Sequence, residues 1–143
     1  MGCMVQNQIE IVDSIVQLFA NSGISVTNSR RRIIAEIVRK DGLFTAEEIA
    51  KDLPNIGRAT VYRTIKILYE LEKICRINIT DEHSYYALSS SDHHHHTVCK
   101  SCNKIEEISL SGLEKSIKKY QRDLIGELIS HNLELYIICQ NCT

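Results

Sequence analysis

Residues 45–88 read TAEEIAKDLPNIGRATVYRTIKILYELEKICRINITDEHSYYAL, and within them the hydrophobic period changes from helical to alternating. Thr45 with Glu48 three residues later is a capping box, and it opens a short helix with Ile49, Ala50 and Leu53 facing inward. Pro54 and Asn55 close it. Gly57 breaks the chain before another helix, whose stripe of Val61, Ile65, Leu68 and Glu72 is apolar until its last turn. Arg58, Thr60, Tyr62, Arg63 and Lys66 supply polar and basic groups elsewhere on that helix. Residues 75–79 and 84–88 are short and rich in β-formers, and Thr80-Asp81-Glu82-His83 between them reads as a hairpin turn.

Upstream, Thr27 and Asn28 cap a helix that buries Ile33, Ile34, Ile37 and Val38 and ends at Asp41-Gly42. A first helix carries Ile9, Val12, Ile15, Val16 and Phe19 and stops at Asn21-Ser22-Gly23. Three helices and a hairpin make a winged helix-turn-helix pattern, with the first helix as an N-terminal addition. Downstream, Ser89-Ser90-Ser91-Asp92 is polar and aperiodic, which places a hinge linker at 89–92. Residues 97–99, 104–108 and 133–138 read as strands, and Leu113, Ile117, Tyr120, Leu124 and Leu128 mark one helix before the last of them. The expected fold class is α+β: a winged-helix domain over 1–88 and a small α/β domain over 93–143. A unit of that size needs a metal staple and a dimer partner to be stable.

Composition fits this division. The chain has 143 residues, with 43% hydrophobic and 24% charged, a single proline and no tryptophan, so disorder and low complexity are excluded. Net charge is -1, yet between Thr27 and Lys66 there are nine basic and five acidic residues, including Arg30, Arg31 and Arg32. Such clustering steers toward phosphates even at neutral overall balance. No apolar run approaches the length of a membrane span and the start is polar by Gln6–Gln8, so the expected location is the cytoplasm, with no membrane partner. Met-Gly-Cys at the start lacks the Ser or Thr at position 6 that myristoylation wants.

Six cysteines without an export signal point to metal or redox chemistry. Cys99/Cys102 and Cys139/Cys142 form two CxxC pairs, and two such knuckles complete a closed tetrahedral zinc site. The 36 residues between them exceed the usual ribbon spacing of about 15 to 20, which means that the ion clips the end of the domain to its start. The alternative is a redox pair, but a thioredoxin-like CxxC opens a helix after a strand, whereas Cys139-Gln-Asn-Cys142 ends the sequence. Immediately before the first knuckle stand His93, His94, His95 and His96. If the tract continues into a strand, His93 and His95 face one side and His94 and His96 the other, so one tract can feed two sites. Glu106, Glu107, Glu114 and His131 are the partners within reach in the second domain. An exposed polar loop or a cloning tag is the plainer reading of four histidines, but tags are terminal. His83 reads as a solvated turn residue.

In the fourth helix, Arg58, Thr60, Tyr62 and Arg63 stand at the N-terminal end, where a recognition helix meets base edges. A solvated helix face is the competing reading. A zinc hydrolase or deaminase is disfavoured because HExxH is missing and Pro54, the only proline, rules out PCxxC.

RATVYRTIKILYELEKICRI, DHHHHTVCKSCNKIEEI and HNLELYIICQNC together resemble the ferric uptake regulator (Fur) family of metal-dependent transcription repressors, including its zinc-sensing branch. The resemblance runs from roughly Ile9 to Cys142. It implies a homodimer that binds a palindromic double-stranded DNA operator, a structural Zn2+ on Cys99, Cys102, Cys139 and Cys142, and regulatory Zn2+ or Fe2+. A regulatory set resembles His93, His95, Glu114 and His131, and a second, at the hinge, resembles His94, His96 and Glu107. Many members draw a further hinge ligand from a histidine just before the third helix, where this chain has Leu43, and an acidic or thiol ligand at the end of the wing, where it has Ala87 or Leu88. Cys75 lies where zinc-sensing members place a ligand, which makes a softer set that favours zinc over iron. A buried apolar role is the competing reading of Cys75. A metal-independent family member, and a redox or metal-chaperone protein without a DNA role, are the alternatives.

Overall fold

The computed structural model describes residues 2–40, 42–79, 83–89 and 93–143, with the side chains of residues 2–5 set aside. The chain forms two compact units, 1–90 and 91–143. The expected linker at 89–92 and the tip of the hairpin fall largely outside the described residues.

In the first unit, α1 (Gly2–Asn21), α2 (Asn28–Lys40), α3 (Ala46–Asp52) and α4 (Arg58–Glu70) precede β1 (Ile74–Ile77) and β2 (Tyr85–Leu88). Helix α1 ends as its sequence signal predicts: Gly23 takes φ 71 and the Ile24 N–H donates to the Phe19 carbonyl at 2.9 Å. The capping box of α3 is complete, since the Thr45 side chain accepts from the Glu48 N–H and the Glu48 carboxylate accepts from the Thr45 N–H. Phe19, Ile33, Ile34, Phe44, Ile49, Val61, Leu68 and Ile74 share one buried core. Its contributors come from all four helices and the wing, so α4 is held from behind while its outer face stays in water.

Two expectations shift here. Glu72 lies beyond α4, exposed and with φ 56, and the buried stripe of α4 is Val61, Thr64, Ile65 and Leu68. The chain turns at Glu72 because the Lys73 N–H closes on the Leu68 carbonyl at 2.9 Å, a helix stop that usually uses glycine. The wing pairs Ile74 with Leu88 and Ile77 with Tyr85, and Phe44 adds a bridge to Tyr86. That bridge ties the residues before α3 to the wing.

In the second unit, β3 (His95–Cys99) is central, with β4 (Ile105–Ile108) antiparallel on one side and β5 (Glu134–Ile137) parallel on the other. Helix α5 (Ser111–Tyr120) and a 3-10 turn at Gln121–Asp123 make the crossover. The expected longer helix through Leu124 and Leu128 stops at Tyr120, and Gly126 at φ 156 holds the chain in a conformation that no helix uses. Helix α5 buries none of its residues fully within this chain, so it has too little packing to extend.

Candidate metal centres and nucleic-acid interface

The first cluster sits where β3 ends. Cys99 is the last residue of β3, and the turn after it is closed by the Asn103 N–H on the Cys99 carbonyl at 2.9 Å, with Asn103 at φ 57. A second turn, Cys142 N–H to Cys139 carbonyl at 2.8 Å, follows β5. Because β3 and β5 are parallel neighbours, both turns arrive at the same end of the sheet. The four sulfurs of Cys99, Cys102, Cys139 and Cys142 lie within 4.8 Å of one another. Cys102 Sγ and Cys139 Sγ are 3.7 Å apart, far from a disulfide and close to the separation of about 3.8 Å between sulfurs on a tetrahedral zinc.

The electrostatics of these thiols suit a cation. The Cys99 thiol is lowered to about 6, first by the Cys139 N–H, whose nitrogen is 3.4 Å from Sγ, and then by that of Cys102. Cys142 goes the other way: a hydrogen bond to Ser101 lowers it, but Cys139 and Cys102 beside it raise it further, to about 12. Crowded sulfurs resist sharing four negative charges unless a positive ion lies between them. Ser101 was not singled out by sequence reasoning.

The second cluster uses one face of β3. His95 is fully buried, and its Nε2 lies 2.6 Å from Glu114 Oε1 on α5. His131, in the loop before β5, places Nε2 3.1 Å from the same oxygen, and His93 places Nε2 3.2 Å from it. The His93 and His131 nitrogens are themselves 2.9 Å apart. Three imidazole nitrogens and one carboxylate oxygen gathered at one point are a donor set suited to a divalent cation. Ligand atoms about 2.1 Å from a tetrahedral ion are spaced roughly 3.4 Å apart, and a small outward shift of these contacts, 2.6 to 3.2 Å long, reaches that spacing. The residues present therefore fit a zinc- or iron-sized cation. Glu114 is held at about 2, first by the His95 contact and also by His131, so its carboxylate is ionised and ready to bind metal throughout the neutral range.

On the other face of β3, the His94 and His96 rings meet edge to face with centroids 4.9 Å apart, and His94 Nε2 is 3.8 Å from Glu107 Oε1 on β4. His96 is buried and its Nε2 has no hydrogen bond among the described residues. Burial, with the neighbouring His94, pushes its pKa down, so the ring is neutral and its lone pair available. Cys75 lies in β1 of the first unit. Glu106, an early candidate, pairs with Lys104 at 2.5 Å, and His83 is exposed.

Arg58, Tyr62 and Arg63 are exposed on α4, and Thr60 is half-buried. Thr60 also gives its carbonyl to the buried Thr64 hydroxyl at 2.8 Å. Arg58 and Tyr62 both reach Glu47 on α3, a residue that sequence reasoning passed over in favour of its capping neighbour.

A winged helix in one unit, with cysteine and histidine clusters on a small sheet in the other, defines the class as a metal-binding winged-helix protein. Residues 21–136 match the model of the Ferric uptake regulator family, and the chain belongs to that family. Its members are metal-responsive transcriptional repressors and not enzymes. The ferric uptake regulation protein of Campylobacter upsaliensis is 27% identical over 138 residues, covering 92% of this chain and 88% of the relative. The peroxide operon regulator of Bacillus subtilis is 29% identical over 133 residues, 90% of each. A zinc uptake regulator complexed with zinc and DNA superposes with a TM-score of 0.73 at 20% identity, covering 94% of each chain, and shares the fold.

Proposed function

We propose that this chain is a cytoplasmic, metal-dependent repressor that binds a palindromic operator as a homodimer, with residues 1–88 contacting DNA, 89–92 as hinge and 93–143 forming the dimer. Cys99, Cys102, Cys139 and Cys142 hold a structural zinc. His93, His95, Glu114 and His131 hold the regulatory ion, Zn2+ or Fe2+, and His94, His96 and Glu107, joined by Cys75, form a second set at the hinge. Arg58, Thr60, Tyr62 and Arg63 contact DNA.

The observation that carries the reading is the convergence of His93, His95 and His131 on a single Glu114 oxygen. Those ligands come from β3 and the residues leading into it, α5 and the loop before β5, so a bound ion fastens three parts of the second unit together. A bound cation supplies the charge that this set lacks. It shifts the dimer toward the DNA-binding arrangement only as far as it binds that arrangement better than the other. Leu43 and Ala87 remove two ligands that iron-sensing hinges use, and the thiol of Cys75 with two imidazoles favours zinc.

The test is elemental analysis of protein purified with reductant, before and after mild chelation, paired with DNA binding. One chelator-resistant zinc per chain and a removable metal that restores operator binding is the expected result. No metal, with the cysteines oxidised, overturns it. Arg63→Ala should weaken operator binding and lower the salt slope by about one, as loss of a phosphate or base-edge arginine does.

A further inference from the structure

Glu47 is the second residue of α3 and takes no part in the capping box beside it, which uses Thr45 and Glu48. Its carboxylate reaches across the corner to α4 instead. Oε2 pairs with the Arg58 guanidinium and accepts a hydrogen bond from the Tyr62 hydroxyl at 3.2 Å. Arg58 and Tyr62 stand four residues apart, on one helix face, and one oxygen gathers both. The Arg58 and Glu47 side chains are 67% and 57% exposed, so the contact adds little to folding. Its consequence is local charge and side-chain direction.

A carboxylate that collects a guanidinium and a phenol does the acceptor chemistry of a DNA phosphate. Arg63, on the same helix, has no ion pair or hydrogen bond from its side chain among the described residues, so the two arginines differ in kind. Arg63 is open to the first phosphate it meets, whereas Arg58 must exchange one anion for another. We propose that Glu47 is a specificity-determining residue of the DNA-binding surface. It holds Arg58 and Tyr62 in one arrangement and keeps a negative charge beside them, so that Arg58 gains less from a phosphate reached without matching base contacts.

The inference rests on α4 being the DNA-contacting helix. Non-specific affinity grows with the number of cations that displace counterions from phosphates, and a neutralised Arg58 drops out of that number. At a matching site the fixed side chains lose less freedom on docking, so the operator suffers less from the pairing than random DNA does. Glu47 thus widens the ratio between specific and non-specific binding, the quantity that matters against a genome of competing sites.

The experiment measures binding of the zinc-loaded full chain to a random-sequence duplex between about 50 and 200 mM salt, and to an operator selected from a randomised pool. Glu47→Gln should bind the random duplex more tightly, with a log-log salt slope steeper by about 0.9. The operator should gain less, so the ratio falls. Glu47→Asp, which keeps the charge, should return the parent slope. The steepening of the slope should vanish in an Arg58→Ala background, where Gln only removes a carboxylate that repels phosphate, while the thermal midpoint stays at the parent value. An unchanged slope in Glu47→Gln, or the same steepening of the slope without Arg58, overturns the proposal while leaving the DNA-binding assignment intact. Parent-like binding of random duplex by both Arg58→Ala and Arg63→Ala overturns the assignment and the proposal together.

Discussion

At the scale of single residues, the cysteine cluster and the Glu114 cluster of the second unit each depend on one ligand in a way that can be measured. Cys102 is exposed and reaches the other sulfurs only from its turn, so Cys102→Ser leaves three thiols crowded at the end of the sheet. We expect loss of the chelator-resistant zinc and, because this small unit depends on its staple, early melting of residues 91–143 in hydrogen exchange. Glu114 makes a prediction about acid. Its pKa is depressed to about 2 from an ordinary 4.5, so the stability it contributes is fully present above about 4.5 and is lost as pH falls toward 2. In metal-free protein, Glu114→Gln should flatten that part of the stability-pH curve, as read by denaturant unfolding. The gathering of Cys99 with Cys102 was legible in the sequence because a CxxC spacing brings two thiols to one turn whether they serve a metal or a redox step. The part played by Glu47 was not, because a carboxylate in the first turn of a helix already has a local reason to be there.

At the scale of elements, boundaries followed the sequence wherever a cap or a turn residue fixed them. Helix α3 begins at Ala46 because Thr45 and Glu48 satisfy each other's backbone groups. Thr45→Ala should cost about 1 kcal/mol of stability in the first unit, measured by denaturant titration. Helix α4 shows the opposite case. Its stop at Glu72 uses a left-handed residue that carries no glycine signal, so a stripe drawn by periodicity ran on past the true end. Helix α5 misled for another reason. Leu113, Ile117, Tyr120, Leu124 and Leu128 keep helical spacing, but apolar spacing records what a segment buries and not whether its own chain supplies the partner. Leu113 and Ile117 lie inside the helix, while Leu124 and Leu128 follow it in extended and irregular chain. The bridge from Phe44 to Tyr86 was hidden too, since one residue pairing with a distant strand leaves no period to detect.

At the scale of the molecule, the two units divide their apolar surface unequally. The first closes its core on itself, whereas the second leaves Tyr120, Leu124, Ile125, Ile129 and Ile138 more than half exposed. A second copy of the chain is the partner that the proposed function requires for this surface. Ile129→Glu should therefore shift the protein toward monomer in sedimentation and weaken operator binding, since the two half-sites are then bound one at a time. Division into two units was readable from the polar serine run and the change of period. The choice of metal was not, because it depends on which distances the folded elements impose.

Strand β3 carries one further consequence. Within five residues it presents His95 to one cluster, His96 to the other and Cys99 to the sulfur knuckle. A strand has a period of two, so inserting or deleting one residue ahead of Cys99 would exchange the faces of the two histidine pairs relative to the knuckle. All three clusters would lose their geometry in one genetic event. The strand is thus intolerant of any change in length, whereas a substitution at an outlying partner such as Glu107, Glu114 or His131 disturbs one cluster and leaves the others in place.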